Sequence, residues 1–360
     1  MKSLTSDKAQ TSKTRQGWGL VISFLLTGVF LYIAFRGVRL REVLYIVSQS
    51  SWHWVALLVL SLTTSHLLRA IRWKVILKSV KPDTSLLNLF GSLMVGYGVN
   101  SVIPRVGEIT RAVLLGKWEN LSRTSMFGTV ILERIIDSIA FLAALLISVF
   151  VYSGNLYESI PWLKSTLYLI SFFLAGVIVF LVLLIRYKEK FYNIIVILAG
   201  KISQKAAHKA AEVLEMLTQG FGSLKGGRNY FLTLFLTVLI ICNYALNAYL
   251  GFLALDMQNI IPISFSMAWV LMSISSFGVA IPTPGGTGSY HVITQTILVL
   301  LFGFANKISL AYAVLTHAVS NILFIISALV FFFYLNNKYA KKTGKSEKLI
   351  DLIENNMDSI

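Results

Sequence analysis

The sequence predicts an all-α polytopic membrane protein with six full spans and two opposed re-entrant hairpins, each a broken helix, arranged as an inverted repeat. Of its residues, 56% are hydrophobic and 13% are charged, whereas soluble domains carry roughly 25% charged residues. Many hydrophobic residues lie in runs of about 20, the length a helix needs to cross a bilayer. This hydrophobicity excludes a disordered chain. Despite a net charge of +16, the apolar runs also argue against a nucleic-acid-binding protein.

Six apolar segments are the predicted spans. They are residues 18–35, 52–71, 126–152, 162–185, 230–255 and 308–335. Two further apolar stretches stop at a Pro/Gly-rich break and then resume, the first as 85–103 and 109–116, the second as 262–281 and 288–305. Proline removes a backbone donor and disfavours helix in the residue before it. Each stretch is therefore predicted to form a broken helix.

Lysine and arginine mark the cytoplasmic side of a membrane protein. They crowd the N-terminus, the link after the second span, a linker and the tail, whereas links 153–161 and 256–261 contain neither. This pattern predicts both termini on the cytoplasmic side of the cell (inner) membrane, with the first hairpin entering from the cytoplasm and the second from outside. Segment 36–51 has three arginines on the outer side and is predicted to be an interfacial helix. The expected regions are an N-terminus (1–17), one membrane domain (18–335) with a cytoplasmic amphipathic linker (186–229), and a basic tail (336–360).

The two broken stretches resemble each other. Each contains Gly-Val, ends at Ile-Pro and is followed by a long apolar helix with a polar pair four residues apart: Glu133 and Asp137 in the half 52–152, His317 and Asn321 in the half 230–335. Inverted repeats with interrupted helices are typical of transporters, and the interruptions indicate the site. The alternative is that any Pro/Gly-broken apolar stretch looks similar.

The tip of the first hairpin runs from Asn100 to Arg111. Arg105 and Arg111 are predicted to hold a phosphate, and the helix that restarts near Gly107 would direct its positive N-terminus toward it. Glu108 would pair with one of the arginines. The alternative is an ion pair that only closes the hairpin, or a basic cytoplasmic loop.

Charged residues also lie within the predicted spans. A charge at the bilayer centre costs at least about 2.5–3.5 kcal/mol, so Glu133, Arg134 and Asp137 are predicted to contact substrate or couple protons, or else to neutralise one another. Arg69 and Arg72 end the second span beside Trp73. We interpret them as arginines that extend to the membrane surface, or as an entry site for an anionic headgroup.

The second tip is rich in glycine and proline, and its candidate substrate-binding residues are Pro284, Gly285, Gly286 and Gly288. Its amides are predicted to form an anion-binding nest, but no nucleotide P-loop motif is present. His291, His317 and Asn321 are further candidates, with interhelical bonding as the alternative. The single cysteine, Cys242, excludes a disulfide framework and a multi-cysteine zinc site. No cofactor or metal is predicted.

At these motifs the sequence resembles the lysylphosphatidylglycerol synthase membrane-region family, described as flippase-like integral membrane proteins. The resembling pieces are Arg69–Trp73, Asn100–Arg111, Glu133–Asp137 and Pro282–Gly288. Bifunctional members of the family join a membrane region that moves aminoacylated phospholipid between leaflets to a soluble transferase domain. Only about 25 residues follow the last span here, so the resemblance implies only translocation. Many members have an acid after the glycine turn, where this chain has Tyr290 and His291.

We therefore expect a lipid translocator rather than an enzyme, with membrane lipids that carry anionic or phosphate headgroups as partners. The alternatives are a lipid-headgroup transferase, an intramembrane serine protease using Ser289 and His317, and a scaffold subunit. The sequence leaves open the lipid, the direction, the coupling ion and the oligomeric state.

Overall fold

The computed structural model describes residues 2–78, 80–152, 163–204, 207, 208, 211, 214, 215, 226–344 and 346. This part of the chain is helical and contains no strand. The helices are α1 (Lys2–Phe35), α2 (Leu40–Ser48), α3 (Trp52–Leu77), α4 (Leu86–Val102), α5 (Val106–Glu119), α6 (Arg123–Val151), α7 (Leu163–Arg186), α8 (Lys188–Ile202), α9 (Gly227–Ala254), α10 (Phe265–Ala280), α11 (Ser289–Leu300) and α12 (Asn306–Thr343). Single 3-10 turns form at Met257–Asn259 and Pro284–Gly286.

Four helices in the described part are long and apolar enough to cross a membrane: α3, α6, α9 and α12. They cover four of the six predicted spans. The first predicted span lies in α1, which meets the same criterion only together with α2, and these two helices are bent by 81° at the intervening break. Gly37, at φ +76°, lies in that break. The predicted span 162–185 is helix α7, whose crossing of the membrane stays a prediction.

Three regions of the sequence analysis are not fully described by the structure. Link 153–161 lies outside the described residues, as do most of the linker beyond α8 and most of the tail. Segment 36–51 contains the helix predicted there, α2, which buries Val43. Helix α12 continues to Thr343 and ends at Gly344, a left-handed cap, so the start of the predicted tail is helical.

Contacts divide the chain into two compact units. The first unit comprises Met1–His66, Phe90–Leu114 and Asn243–Ile360, and the second comprises Leu67–Leu89 and Leu115–Cys242. In the first unit, Asn243 of α9 donates to Ser61 O (2.8 Å) and Ser65 Oγ (2.6 Å) of α3. Such interhelical bonds satisfy polar groups within apolar surroundings. The inverted repeat and the single-domain organisation stay predictions.

Hairpin 1 consists of α4, α5 and the connection between them. Helix α4 makes its last backbone bond at Ile103, since Pro104 has no N–H to donate, and Arg105 then adopts φ +68°. Left-handed backbone is uncommon for a non-glycine residue, and here it reverses the chain before α5. The two helices pack backbone to backbone, because a Cβ on Gly107 would overlap Gly96 O.

Hairpin 2 consists of α10, the Pro284–Gly286 turn and α11. Ser264 caps the start of α10 by accepting from Met267 N at 3.2 Å. A Cβ on Gly278 would lie 2.9 Å from Tyr290 Cα, so α10 and α11 also pack through their backbones. The Ile-Pro breaks predicted from the sequence are therefore confirmed in both stretches.

Candidate functional site

The tips of the two hairpins contact each other within the first unit, and α12 connects them. Ser101 Oγ, at the tip of hairpin 1, donates to Asn321 Oδ1 at 2.9 Å. Asn321 Nδ2 lies 3.1 Å from His317 Nδ1 and 3.0 Å from Nε2, and His317 Nε2 lies 3.0 Å from Gly285 O in hairpin 2. A carbonyl only accepts, so the bond to Gly285 requires the proton on Nε2 of His317. Two neighbouring side chains of α12, Asn321 and His317, thus join both tips.

The tip of hairpin 1 is closed by Asn100. Its Oδ1 accepts from Gly107 N at 2.7 Å and its Nδ2 donates to Glu108 Oε2 at 3.1 Å. Gly107 N belongs to the first turn of α5, so one of the amides predicted to face an anion is bonded to Asn100 instead. Asn100 and Glu108, both predicted site residues, therefore lie in contact.

The two arginines predicted to hold a phosphate have different surroundings. Arg105 is exposed at the tip, whereas Arg111 is only 4% exposed on α5. Its Cβ would lie 3.1 Å from a Cβ placed on Gly96. Arg105 is therefore the more accessible of the two to an incoming headgroup.

The glycine-rich turn of hairpin 2 uses its amides internally. Gly286 N donates to Thr283 O, Thr287 N to Pro284 O, and Gly288 N to His291 Nδ1. These three amides are not available to form the anion-binding nest predicted from the sequence. The sequence identified the glycines but could not show where their amides point.

The candidate glycines allow close packing within the protein. A Cβ on Gly285 would lie 2.8 Å from Asn321 Oδ1 and 3.3 Å from Ser101 Cα. A Cβ on Gly288 would lie 2.8 Å from Phe30 Cβ of α1. Pro284 and Gly286, the first and last residues of the 3-10 turn, are buried. Ser23 of α1 donates to Pro282 O at 2.7 Å. These contacts hold hairpin 2 against α1 and against hairpin 1.

The ring of His291 lies edge-on to His317, with centroids 4.6 Å apart, and Tyr290 stacks on His317 at 5.8 Å. Ser289, the candidate nucleophile of the protease alternative, donates to Gly278 O at 2.6 Å and lies 3.0 Å from Thr283 Oγ1. His317 bonds Gly285 and Asn321 as described above. The hydrogen bonds of Ser289 and His317 thus give no support to a Ser–His dyad.

A separate group of predicted residues forms a charged cluster in the second unit. Arg69 Nη2 lies 2.5 Å from Glu133 Oε1 and 2.7 Å from Asp137 Oδ2. Arg72 Nη2 lies 2.5 Å from Asp137 Oδ1 and 3.3 Å from Glu133 Oε1. Arg134 adds a third guanidinium, 3.2 Å from Asp137 Oδ2, and its side chain is 39% exposed. The buried part of the cluster is two arginines against two carboxylates.

The interpretation of Arg69 and Arg72 as arginines that extend to the membrane surface is wrong. They are 3% and 0% exposed, and Trp73 is fully buried with Nε1 donating to Thr129 Oγ1 at 3.1 Å. Carboxylates on α6 hold the two guanidinium groups inside the protein, where a buried charge needs a partner. The sequence spacing could have indicated this pairing. Arg69 and Arg72 are three residues apart and Glu133 and Asp137 are four apart, so each pair lies on one face of its helix.

Two further polar side chains in the second unit form hydrogen bonds that the sequence analysis did not identify. Thr237 of α9 accepts from Arg72 Nη1 at 3.0 Å. Glu119, at the end of α5, accepts from Ser85 N (3.0 Å), Asn88 Nδ2 (2.7 Å) and Lys81 Nζ (2.6 Å). A threonine in an apolar span and a glutamate at a helix end are too common to have been singled out.

Comparison with known proteins identifies the family. The model of the lysylphosphatidylglycerol synthase TM region matches residues 18–328. This chain belongs to that family. The match extends over α3, α6 and α9, so the chain is a multi-pass integral membrane protein of the family.

Three archaeal proteins are similar in sequence to this chain. A UPF0104 membrane protein of Methanocaldococcus jannaschii is 26% identical over 343 residues, which is 91% of this chain and 96% of that protein. A UPF0104 membrane protein of Methanothermobacter thermautotrophicus is 36% identical over 75 residues, 20% of this chain and 22% of that protein. The glycosyltransferase AglD of Haloferax volcanii is 24% identical over 92% of this chain but only 57% of its own length.

Proposed function

We propose that this family member is a lipid translocator that moves a phospholipid, or another lipid with an anionic or phosphate headgroup, between leaflets. The observation that carries the proposal is the contact between two broken-helix hairpins through Ser101, Asn321 and Gly285. Irregular backbone is tolerated at membrane depth only where protein or a water-filled cavity surrounds it. Paired hairpin tips with polar side chains would provide a polar path for a headgroup while the acyl chains stay in the bilayer.

Arg105 is the residue that we propose meets the headgroup first. It is the exposed charge at the tip of hairpin 1, and guanidinium binds phosphate through paired, charge-assisted hydrogen bonds. Its φ of +68° fixes the backbone where the side chain leaves the tip. Arg111, Asn100 and Glu108 would support it, and rearrangement of the Ser101–Asn321 contact would open the path.

The charged cluster has a separate role in the proposal. Arg69, Arg72, Glu133 and Asp137 hold balanced charge inside the second unit, and Arg134 adds a partly exposed cation. We propose that Arg134 favours anionic lipids and that the carboxylates set selectivity or couple protons. With no nucleotide-binding motif in the sequence, transport would be passive or ion-coupled.

The test is a flipping assay in proteoliposomes with fluorescent phosphatidylglycerol, phosphatidylcholine or a polyprenyl phosphate, read by dithionite bleaching of the outer leaflet. Wild type is compared with Arg105→Gly, which removes the guanidinium and accepts a positive φ without strain. Losing a hydrogen bond to a charged group costs about 1.5–3 kcal/mol, so we expect flipping of anionic lipid to slow by about ten- to hundredfold.

Arg41→Ala is the matched control, because Arg41 is an exposed arginine on α2, which is part of neither hairpin. It should flip lipid at the wild-type rate. Folded Arg105→Gly protein that flips lipid at the wild-type rate would remove Arg105 from the mechanism. Wild-type protein that flips none of the three lipids would contradict the proposed function.

A membrane-embedded transferase is the second candidate, since the Haloferax relative is named a glycosyltransferase. This chain matches only 57% of that relative, so the remaining part of the relative has no counterpart in this match. Incubating the protein with a radiolabelled sugar-phosphate lipid and an acceptor lipid decides between the two. A new product formed by wild type would favour the transferase, and flipping without product would favour the translocator.

A further inference from the structure

We propose that α8 is a membrane-surface helix that docks on anionic lipid headgroups through its outward face. This face is defined by Ile194, Ile197, Leu198 and Ile202, which are 53%, 61%, 55% and 83% exposed. The inference stands on α8 and its neighbours alone, so it does not depend on the proposed translocation.

Helix α8 has apolar side chains on two faces, and among the described residues one face packs against protein while the other is exposed. Ile195 and Val196 pack against the buried Leu214, as do Ile131 and Ile135 of α6 and Phe180 of α7. Residues 194, 197, 198 and 202 repeat at the spacing of a single helical face. Four large aliphatic side chains on one exposed stripe mark a surface that contacts something other than water.

The position of α8 in the chain favours a lipid surface as that contact. A single residue, Tyr187, separates α8 from α7, which covers the predicted span 162–185. The helix therefore begins where the chain is predicted to leave the bilayer. Its apolar part, Asn193–Ile202, is about 15 Å long at 1.5 Å per residue, half of the roughly 30 Å needed to cross the hydrocarbon core. A helix too short to span and apolar on its outer face suits the headgroup layer.

The charges of α8 favour acidic lipids. The helix has three lysines and one glutamate, and Lys190 and Lys201, near its two ends, are exposed. Basic residues beside an apolar face bind the negative surface of a leaflet that contains acidic lipids. The exposed Tyr187 at the start of α8 suits the membrane interface, where tyrosine is enriched.

The test places a bimane fluorophore on either face of α8 in the full-length protein. Cys242 is the single cysteine of the chain, so Cys242→Ser provides the background for Leu198→Cys on the outer face and Ile195→Cys on the inner face as the matched control. Each labelled protein is reconstituted in phosphatidylcholine with or without about one-third phosphatidylglycerol, and is quenched by brominated lipid or by aqueous iodide. Circular dichroism checks that each variant is folded.

Docking predicts that brominated lipid quenches the Leu198 label, that iodide does not, and that the Ile195 label is protected from both. Phosphatidylglycerol should strengthen the lipid quenching. Each lysine near an anionic surface is worth a change of about fivefold in the docked-to-undocked ratio, equivalent to about 1 kcal/mol, so Lys190→Gln with Lys201→Gln should reduce the effect of phosphatidylglycerol by about 25-fold.

Three results would overturn the inference. Iodide quenching of the Leu198 label without lipid quenching would place the outer face in water. Lipid quenching that is the same with and without phosphatidylglycerol would remove the recognition of acidic lipid. Disulfide-linked dimers of Leu198→Cys in dilute proteoliposomes would show that a second copy covers this face.

Discussion

Ser101 donates a hydrogen bond of 2.9 Å to Oδ1 of Asn321, so the tip of hairpin 1 is bonded directly to α12. The same asparagine contacts His317, which bonds Gly285 in hairpin 2. The two tips are thus linked by hydrogen bonds through two side chains of α12, and the contribution of these bonds to stability is measurable.

Ser101→Ala and Asn321→Ala should each lower the free energy of unfolding, measured by SDS titration, by about 1 kcal/mol. Because both remove the same bond, the double variant should lose less than the sum of the singles. Ser48→Ala is the control, since Ser48 is exposed and its hydroxyl bonds only within its own helix. Additive losses would show that Ser101 and Asn321 act independently.

Breaking the charged cluster should destabilise the protein strongly. Asp137→Asn leaves Arg69 and Arg72 with one carboxylate instead of two, and removing one member of a buried ion pair costs about 3–5 kcal/mol. Replacing both partners, Arg72→Met with Asp137→Leu, should cost less because no charge is left buried alone. Thermal unfolding in detergent measures both.

Arg134→Gln is the matched control for the cluster, because this side chain is 39% exposed and a surface pair contributes about 1 kcal/mol or less. If Asp137→Asn unfolds at the wild-type temperature, the cluster does not contribute to stability in the way its geometry indicates.

Gly288→Ala should destabilise hairpin 2. The residue has φ +86° and ψ −60°, a sparsely populated conformation in which a side chain costs about 1–3 kcal/mol, and a Cβ would also lie 2.8 Å from Phe30 Cβ and 2.9 Å from Thr27 O. Gly28→Ala, on α1, meets no atom within 4 Å and should leave the unfolding temperature equal or slightly higher. Equal behaviour of the two variants would contradict the packing of α1 against this turn.

Glu119→Ala should weaken the start of α4. Its carboxylate accepts from Ser85 N, Asn88 Nδ2 and Lys81 Nζ, and hydrogen bonds to a charged group contribute about 1.5–3 kcal/mol. Lys81→Ala removes one donor and should cost less, since the bonds from Ser85 and Asn88 remain. Thermal unfolding should therefore give a lower midpoint for Glu119→Ala than for Lys81→Ala. A lower midpoint for Lys81→Ala would contradict the contribution of the bonds from Ser85 and Asn88.

Local chemistry made part of this fold predictable. The breaks at Pro104 and Pro282 follow from a missing N–H, and the spans α3, α6, α9 and α12 follow from apolar length. The sequence also separated the span 18–35 from a second helix in 36–51, but the 81° angle between α1 and α2 does not follow from length and hydropathy.

The partners of the charged residues depended on contacts between distant positions. Arg69 and Asp137 are 68 residues apart, and the sequence alone did not pair Arg69, Arg72 with Glu133, Asp137, although each pair lies on one helical face. The glycine turn shows the opposite case. Its residues were identified correctly, but only the structure shows that the amides of Gly286, Thr287 and Gly288 bond internally.

Gly107 lies against Gly96 in hairpin 1, and Gly278 lies against Tyr290 in hairpin 2, with no room for a Cβ on Gly107 or Gly278. Helices in backbone contact cannot slide past each other without overlap of main-chain atoms. The two helices of each hairpin are therefore held in register at that contact. A shift of one helix along its axis would carry the other helix with it.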